Sequence, residues 1–173
     1  MTLFLDLSKE EFATANKIVR LAELQTVLLE RSSTAVAKSF AEGGRKLPPS
    51  ELKFMHRAVV ASYSKQKLQL RVVFRVRGQE SGQGGKPILA LSATFFSEYS
   101  FPNEVTLSEE ECRIFASANG IMVTWPYWRE LVQSNIARMS LPPLTLPFMK
   151  LRQKPAEEPK DTVVLTTPDK DLK

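Results

Sequence analysis

Few residues of the types that perform catalysis or bind metals occur in this sequence. It contains one histidine, His56, and one cysteine, Cys112, in 173 residues. A structural zinc site needs about four such ligands and a disulfide within the chain needs two cysteines, so neither is expected. A general base at His56 would need a nucleophile, and no motif nominates one. We therefore expect a buried or rim histidine on a strand, a small buried Cys112 on a helix, and a protein that is not an enzyme.

Two other segments resemble chemical motifs only superficially. Residues 82–86, Gly-Gln-Gly-Gly-Lys, lack the spacing and the Ser or Thr of a P-loop, and no helical pattern follows them, so they predict a hairpin loop. The acidic run Glu109–Glu111 follows Ser108 in a capping box, where carboxylates suit a helix N-terminus better than acid–base catalysis. The sequence therefore implies no cofactor and no metal.

The composition is that of one globular domain with a tail. The chain is 43% hydrophobic and 25% charged, and its length fits a single domain. No stretch approaches the roughly 18 apolar residues of a spanning helix, and the N-terminal apolar run is too short for a signal peptide. We therefore expect a cytoplasmic protein that does not contact a membrane. Residues 151–173 lose periodicity and have the composition of a disordered tail, which places the domain at residues 1–150.

The net charge is +5, and residues 151–173 are charge-balanced, so the excess lies on residues 1–150. A basic surface favours acidic partners, including nucleic acid. Residues 68–77 place Arg71, Arg75 and Arg77 on one face of a strand. Proteins that bind single-stranded DNA or RNA interleave such charges with exposed aromatic rings. In residues 68–77 the aromatic side chain instead alternates onto the face opposite the arginines. A nucleic-acid-binding module using these arginines therefore stays an alternative function, and nucleic acid is the less favoured partner.

Four segments have the composition or alternation of β-strands, although residues 24–29 could also continue the helix before them. The fourth strand is apolar on both sides, which predicts that helices or another subunit cover both faces. Within it Phe95 and Phe96 point to opposite faces. The strands are expected at residues 21–36, 51–63, 68–77 and 88–101.

Helices are predicted by caps and breakers. Ser8 begins a capping box for a short helix, Lys9–Val19, and Ser108 begins a second one that ends near Asn119-Gly120, a favourable C-cap pair. A third helix, Pro126–Met139, lies between Pro126 and the pair Pro142-Pro143. Its apolar face must pack on a large apolar surface.

Two motifs at the end of this pattern carry a family resemblance. Residues 125–130, Trp-Pro-Tyr-Trp-Arg-Glu, look like the Phe-Pro-Tyr-Ala-Arg-Glu of SecB, the bacterial export chaperone, at its main helix. Residues 141–147, Leu-Pro-Pro-Leu-Thr-Leu-Pro, are similar to the Phe-Pro-x-Leu-x-Leu-x-Pro segment that follows that helix. Together with the four strands before them, these motifs span about 125 residues. The chain therefore resembles SecB and its SecB-like relatives.

The resemblance implies an α+β fold in which a simple four-stranded antiparallel sheet carries its helices on one face. It also implies that main helices pair across a dimer, that dimers form a tetramer, and that unfolded polypeptide binds apolar grooves without ATP. The grooves would involve the long loop between the first two strands. The expected client-binding residues are Phe54, Phe74, Phe95, Phe96, Trp125, Leu141, Leu144 and Leu146. The expected oligomer interface consists of Tyr127, Trp128, Leu131, Val132 and Ile136, although Tyr127 and Trp128 could instead pack the helix on the sheet.

The sequence also departs from the family pattern. The second long helix of the family looks shortened or absent after residue 147, and the arginine face replaces the acidic face that contacts the SecA motor. The departures argue against SecA as a partner. They are typical of SecB-like chaperones in toxin–antitoxin and phage-defence systems, which protect an antitoxin. An antitoxin chaperone is thus the leading expectation, and a general preprotein export chaperone is the alternative.

Overall fold

The computed structural model describes residues 2–37, 50–80, 86–139, 141–154 and 164–166. The loop expected between the first two long strands and the glycine loop at residues 82–85 lie outside this part of the chain. The elements, in chain order, are β1 (Thr2–Leu7), α1 (Lys9–Val19), β2 (Glu23–Val36), β3 (Ser50–Ser64), β4 (Lys67–Glu80), β5 (Pro87–Ser100), α2 (Glu109–Phe115), a π-helical turn (Ala116–Gly120), α3 (Ile121–Arg138), β6 (Phe148–Gln153) and β7 (Val164–Thr166).

The four long strands form an antiparallel sheet, as expected, but they are not all neighbours in chain order. The order is β2-β5-β4-β3-β7. Strands β3, β4 and β5 pair successively, whereas β2 pairs with β5, so the connection from β2 to β3 crosses to the opposite edge. The four-stranded antiparallel sheet that the resemblance implied is therefore confirmed, and its order is one that side-chain alternation alone does not specify.

One face of the sheet carries the helices and the core. Strand β4 alternates strictly, because Leu68, Leu70, Val72, Phe74 and Val76 are each at most 1% exposed while the residues between them face away. Strand β5 alternates in the same way. Its outer face carries Ser, Thr and Glu side chains as well as Phe96, so it is less apolar than the sequence reading supposed. The described elements cover this outer face with no helix.

Helices α2 and α3 join through the π-helical turn instead of being separated by a C-cap. Gly120 has helical backbone angles, φ −56° and ψ −47°. It is buried, and a Cβ on it would lie 3.0 Å from Cδ1 of Leu70 and 3.5 Å from Cγ2 of Val72. The glycine therefore serves close helix–sheet packing, and the expected helix end at Asn119-Gly120 is wrong. Pro126 lies within α3 rather than in its first turn.

A second, two-stranded sheet joins the two ends of the described domain. Strands β1 and β6 pair in parallel from Thr2–Phe148 to Leu7–Gln153. The guanidinium of Arg152 donates to both carboxylate oxygens of Asp6 at 2.8 and 3.1 Å, and this bond lowers the pKa of Asp6. Neither strand was predicted from the sequence. Strand β6 continues past residue 150, where the tail was expected to begin, and β7 pairs with β3.

Candidate functional site

The residue types associated with catalysis are dispersed. Cys112 is buried, and desolvation together with the nearby Glu111 and Glu109 raises the pKa of its thiol, which keeps it protonated. Desolvation lowers the pKa of His56. Within the described ranges, no three His, Cys, Asp or Glu side chains lie close enough to hold a metal ion. None of the described helices is long and apolar enough to cross a membrane.

The SecB-like motifs of the sequence meet in space. The indole Nε1 of Trp125 donates to the carbonyl of Pro147 at 3.1 Å, and Nε of Arg129 donates to the carbonyl of Leu146 at 3.0 Å. The Arg129 guanidinium also lies 4.5 Å from the ring centroid of Phe148. Helix α3 thereby holds the extended segment 141–147 against the domain.

Half of the expected client-binding residues are inaccessible in the folded chain. Phe74, Phe95, Trp125 and Leu146 are at most 5% exposed and belong to the main core, so a client cannot reach them unless the core opens. For Phe74 and Phe95 the alternation predicted the strands but not which face the helices cover. The other four, Phe54, Phe96, Leu141 and Leu144, are partly exposed.

The expected interface residues divide in the same way. Trp128, Val132 and Ile136 are at most 2% exposed, and the Trp128 ring stacks on Phe74 with centroids 5.6 Å apart. These three side chains attach α3 to its own sheet and are not available to a second subunit. Tyr127 is 50% exposed, and Leu131 is partly buried against the core. Only these two remain candidates for an external contact.

An accessible apolar feature on the helix side is the edge of the sheet at β2. In the described part of the chain, this 14-residue strand pairs only with β5, so the hydrogen-bonding groups of its other edge have no strand beside them. Leu24 is 43% exposed and Leu29 is 47% exposed. Both lie opposite buried residues of β5, Tyr99 and Phe95, and therefore point to the helix side.

Strand β2 lies next to α3. Phe95 connects the two elements, because it is the β5 partner of Leu29 and its ring centroid lies 6.4 Å from that of Tyr127. Thr34 Oγ1 also donates to Asn135 Oδ1 of α3 at 3.4 Å. We call the free edge of β2 together with Leu24, Leu29 and Tyr127 the β2 edge surface. Strict alternation would place the two leucines on opposite faces, and only the register shift between Leu24 and Thr26 brings them to the same face, which is why the sequence did not predict this pair.

This surface has the two properties that recognition of an extended peptide requires. An unpaired strand edge offers a row of N–H and C=O groups to another strand, and neighbouring apolar side chains offer contacts to alternate residues of that strand. Soluble proteins usually protect such an edge with charges, prolines or a cover. Here exposed leucines and a tyrosine accompany it.

Comparison with solved structures finds the same architecture. A SecB-like chaperone from Mycobacterium tuberculosis, Rv1957, solved in complex with a ChAD peptide from the Rv1956 HigA1 antitoxin, superposes with a TM-score of 0.66. It is 21% identical, and the match covers 80% of this chain and 98% of that chain. The chain has a SecB-like fold. A protein of unknown function from Streptococcus agalactiae is 11% identical with a TM-score of 0.42, over 73% of this chain and 97% of that one.

The sequence alone does not lead to a family by comparison. No protein-family model matches it, and no curated protein matches it. The SecB-like fold nevertheless accounts for the two sequence motifs, since residues 125–130 and 141–147 are the parts of α3 and the following segment that bind each other. The residues directly after this segment, Phe148–Gln153, form strand β6.

Proposed function

We propose that this protein is an ATP-independent chaperone that holds an unfolded or extended polypeptide at the β2 edge surface. The observation that carries the proposal is the 14-residue edge of β2 that pairs with no other described strand, with the exposed Leu24 and Leu29 beside it. Its SecB-like fold supports the same function, because a structure of that fold was solved with a bound peptide. The client strand would add to β2 by backbone hydrogen bonds and place alternate side chains against the leucines and Tyr127.

We further propose that the client is an antitoxin and that the protein acts in the cytoplasm. The support is the peptide in the similar structure, which comes from the HigA1 antitoxin. A general preprotein export chaperone is the alternative, and the arginines on the outer sheet face argue against SecA as its partner. An antitoxin gene beside this one is expected. If no antitoxin gene lies beside it and the protein prevents the aggregation of unrelated preproteins equally well, the export role is favoured.

A homo-oligomer, dimer or tetramer, is also proposed. A second copy of the chain could use the same unpaired edge that a client uses, since two antiparallel β2 strands would satisfy each other. The mass in solution, measured by sedimentation with and without client, distinguishes the two uses. If client binding converts an oligomer to a smaller complex, the client and the second copy compete for β2. If the client instead adds its mass to an oligomer that keeps the same number of chains, the client and the second copy use different surfaces.

The test is suppression of the aggregation of a chemically unfolded protein by stoichiometric amounts of this chain, with and without ATP. Suppression in both conditions is expected. Leu29→Ser should reduce it, while Leu28→Ser is the matched control, because Leu28 is the adjacent residue, is 54% exposed and points to the opposite face beside Phe96. No suppression of a generic client or of an adjacent antitoxin would contradict the chaperone function. Equal loss in both variants would contradict the placement of the site.

A further inference from the structure

The charges on the open face of the sheet, away from the helices, are segregated. The strand register arranges the side chains of this face in rows that run across β2, β5, β4 and β3. Near the beginning of β4 the cations have acidic partners. Lys67 lies 3.0 Å from Glu98, and Arg71 lies 2.9 Å from Glu30. This part of the face therefore has little excess charge.

In the next three rows every charged side chain is a cation. In the first, Arg31 and Arg57 occupy the outer strands, with Thr94 and Val73 between them. The second contains Arg75. In the third, Arg77 is directly opposite Lys53, and Glu51 occurs only in the row beyond. We call the five cations of these rows the basic patch, namely Arg31, Lys53, Arg57, Arg75 and Arg77.

No member of the basic patch forms an ion pair with any described residue. Rows of a sheet are about 7 Å apart and neighbouring strands about 5 Å, so the five charges repel one another. Like charges directly opposite across a strand pair, as for Arg77 and Lys53, are destabilising. Carboxylates brought to this face by a partner would relieve the repulsion and gain charge-assisted hydrogen bonds.

The surface among the cations is recessed and partly apolar. Small side chains on β2 and β5 leave a depression of about 330 Å³ that Arg75 and Arg77 border. On the other side of Arg75, a depression of about 270 Å³ is lined by Met55, Val73 and Arg57 among others. Met55 is 55% exposed. The patch thus offers apolar contacts between its positive charges.

The shape and chemistry favour a polypeptide over a nucleic acid. Single-stranded nucleic acid is usually held by aromatic rings that stack on bases, and none of the side chains in the three rows is aromatic. Phosphate groups would use the arginines but leave Met55 and Val73 without a contact. A segment that carries Glu or Asp with apolar residues between them would use both.

We propose that the basic patch binds an acidic, partly apolar segment of a partner polypeptide. This surface lies on the opposite side of the sheet from the leucines of the β2 edge surface, so it goes beyond the proposed client site. Binding is electrostatic in origin and weakens as salt screens the charges.

The experiment measures fluorescence anisotropy of a labelled peptide of Glu-Glu-Leu repeats with the full chain. A Lys-Lys-Leu peptide of equal length and single-stranded oligothymidylate are the comparison probes. The double variant Arg75→Glu/Arg77→Glu reverses the patch. Lys65→Glu/Lys150→Glu is the charge-matched control, because both lysines are exposed and lie outside the three rows. Arg75→Gln/Arg77→Gln serves if the reversed variant fails to fold.

We expect saturable binding of the acidic peptide, at least about tenfold weakening in the patch variants, and little change in the control. Unchanged affinity in the patch variants would overturn the proposal, as would equal weakening in the control, which would indicate a response to net charge alone. Tighter, patch-dependent binding of oligothymidylate would overturn it in favour of nucleic acid. Aggregation suppression by the same variants should stay normal, which separates this result from a failure of the client site.

Discussion

The position that a Cβ would occupy on Gly120 lies 3.0 Å from Cδ1 of Leu70. This contact sets how closely the helical layer approaches the sheet, because Gly120 lies at the junction of the π-helical turn and α3, and Leu70 is fully buried on β4. The backbone of Gly120 is helical and needs no glycine. Its missing side chain is what the packing requires.

Gly120→Val is therefore expected to destabilise the fold. The added methyl groups overpack fully buried Leu70 and Val72 and should lower the free energy of unfolding by about 2 kcal/mol. Chemical denaturation measures the loss. Ala137→Val, on the exposed side of α3, is the control and should cost less than about 1 kcal/mol, because it changes only helix propensity. Equal losses in the two variants would show that close packing at Gly120 is unimportant.

Trp125→Phe is expected to loosen the segment 141–147. Phenylalanine keeps most of the buried ring but cannot donate to the Pro147 carbonyl, which should cost about 1–2 kcal/mol of unfolding free energy and speed local opening. Hydrogen exchange of the Leu146 and Phe148 amides measures the opening. Tyr127→Phe in the same helix removes only an exposed hydroxyl, and exchange in this segment should not change. Unaltered exchange in Trp125→Phe would mean that other contacts hold the segment.

Tyr99 should make the fold sensitive to alkaline pH. Desolvation raises the pKa of this buried phenol to about 12, whereas the unfolded value is near 10. Its contribution is fully present below pH about 10. As pH rises towards 12 the unfolded chain loses the proton first, so stability falls by about 1.4 kcal/mol per pH unit.

Tyr99→Phe should remove this slope between pH about 10 and 12, as urea denaturation at several pH values would show. Near neutral pH the variant should be within about 1 kcal/mol of the parent, because the buried hydroxyl has at most a weak contact with the Ser97 hydroxyl and makes no hydrogen bond of ordinary geometry with a described residue. Tyr127→Phe is again a suitable control, since Tyr127 is 50% exposed. An undiminished alkaline slope in Tyr99→Phe would assign it to other groups.

The sequence predicted the elements that have a strong local signal. Capping boxes at Ser8 and Ser108 begin α1 and α2 as expected, with both reciprocal hydrogen bonds present. The alternation in residues 68–77 correctly predicted that Arg71, Arg75 and Arg77 face away from the core. These patterns depend on neighbours within one element, which is why one sequence is enough to read them.

The sequence did not predict features that depend on partners far along the chain. Strand β1 alternates, with Leu3, Leu5 and Leu7 buried, but it is only six residues long and its partner begins at Phe148, so no local pattern specifies the pairing. Gly120 has the local signature of a helix end, but tertiary packing against Leu70 overrides it. The candidate site was also predicted only in part from the sequence. Motif and alternation identified apolar residues such as Phe95 and Trp125, but whether these side chains are exposed depends on which face of the sheet the helices cover.

Leu144 and Leu146 distinguish a client contact from core packing. Leu146 is 2% exposed in the main core, whereas Leu144 is partly exposed against it. Leu146→Ser should lower the free energy of unfolding by about 3 kcal/mol, because it leaves a cavity and buries a hydroxyl, and Leu144→Ser should cost about 1 kcal/mol. Denaturation and client retention are measured on both. If Leu144→Ser weakens retention and leaves the mass in solution unchanged, the segment contributes to the proposed client site. If the variant lowers the mass in solution instead, Leu144 belongs to a contact between copies of the chain.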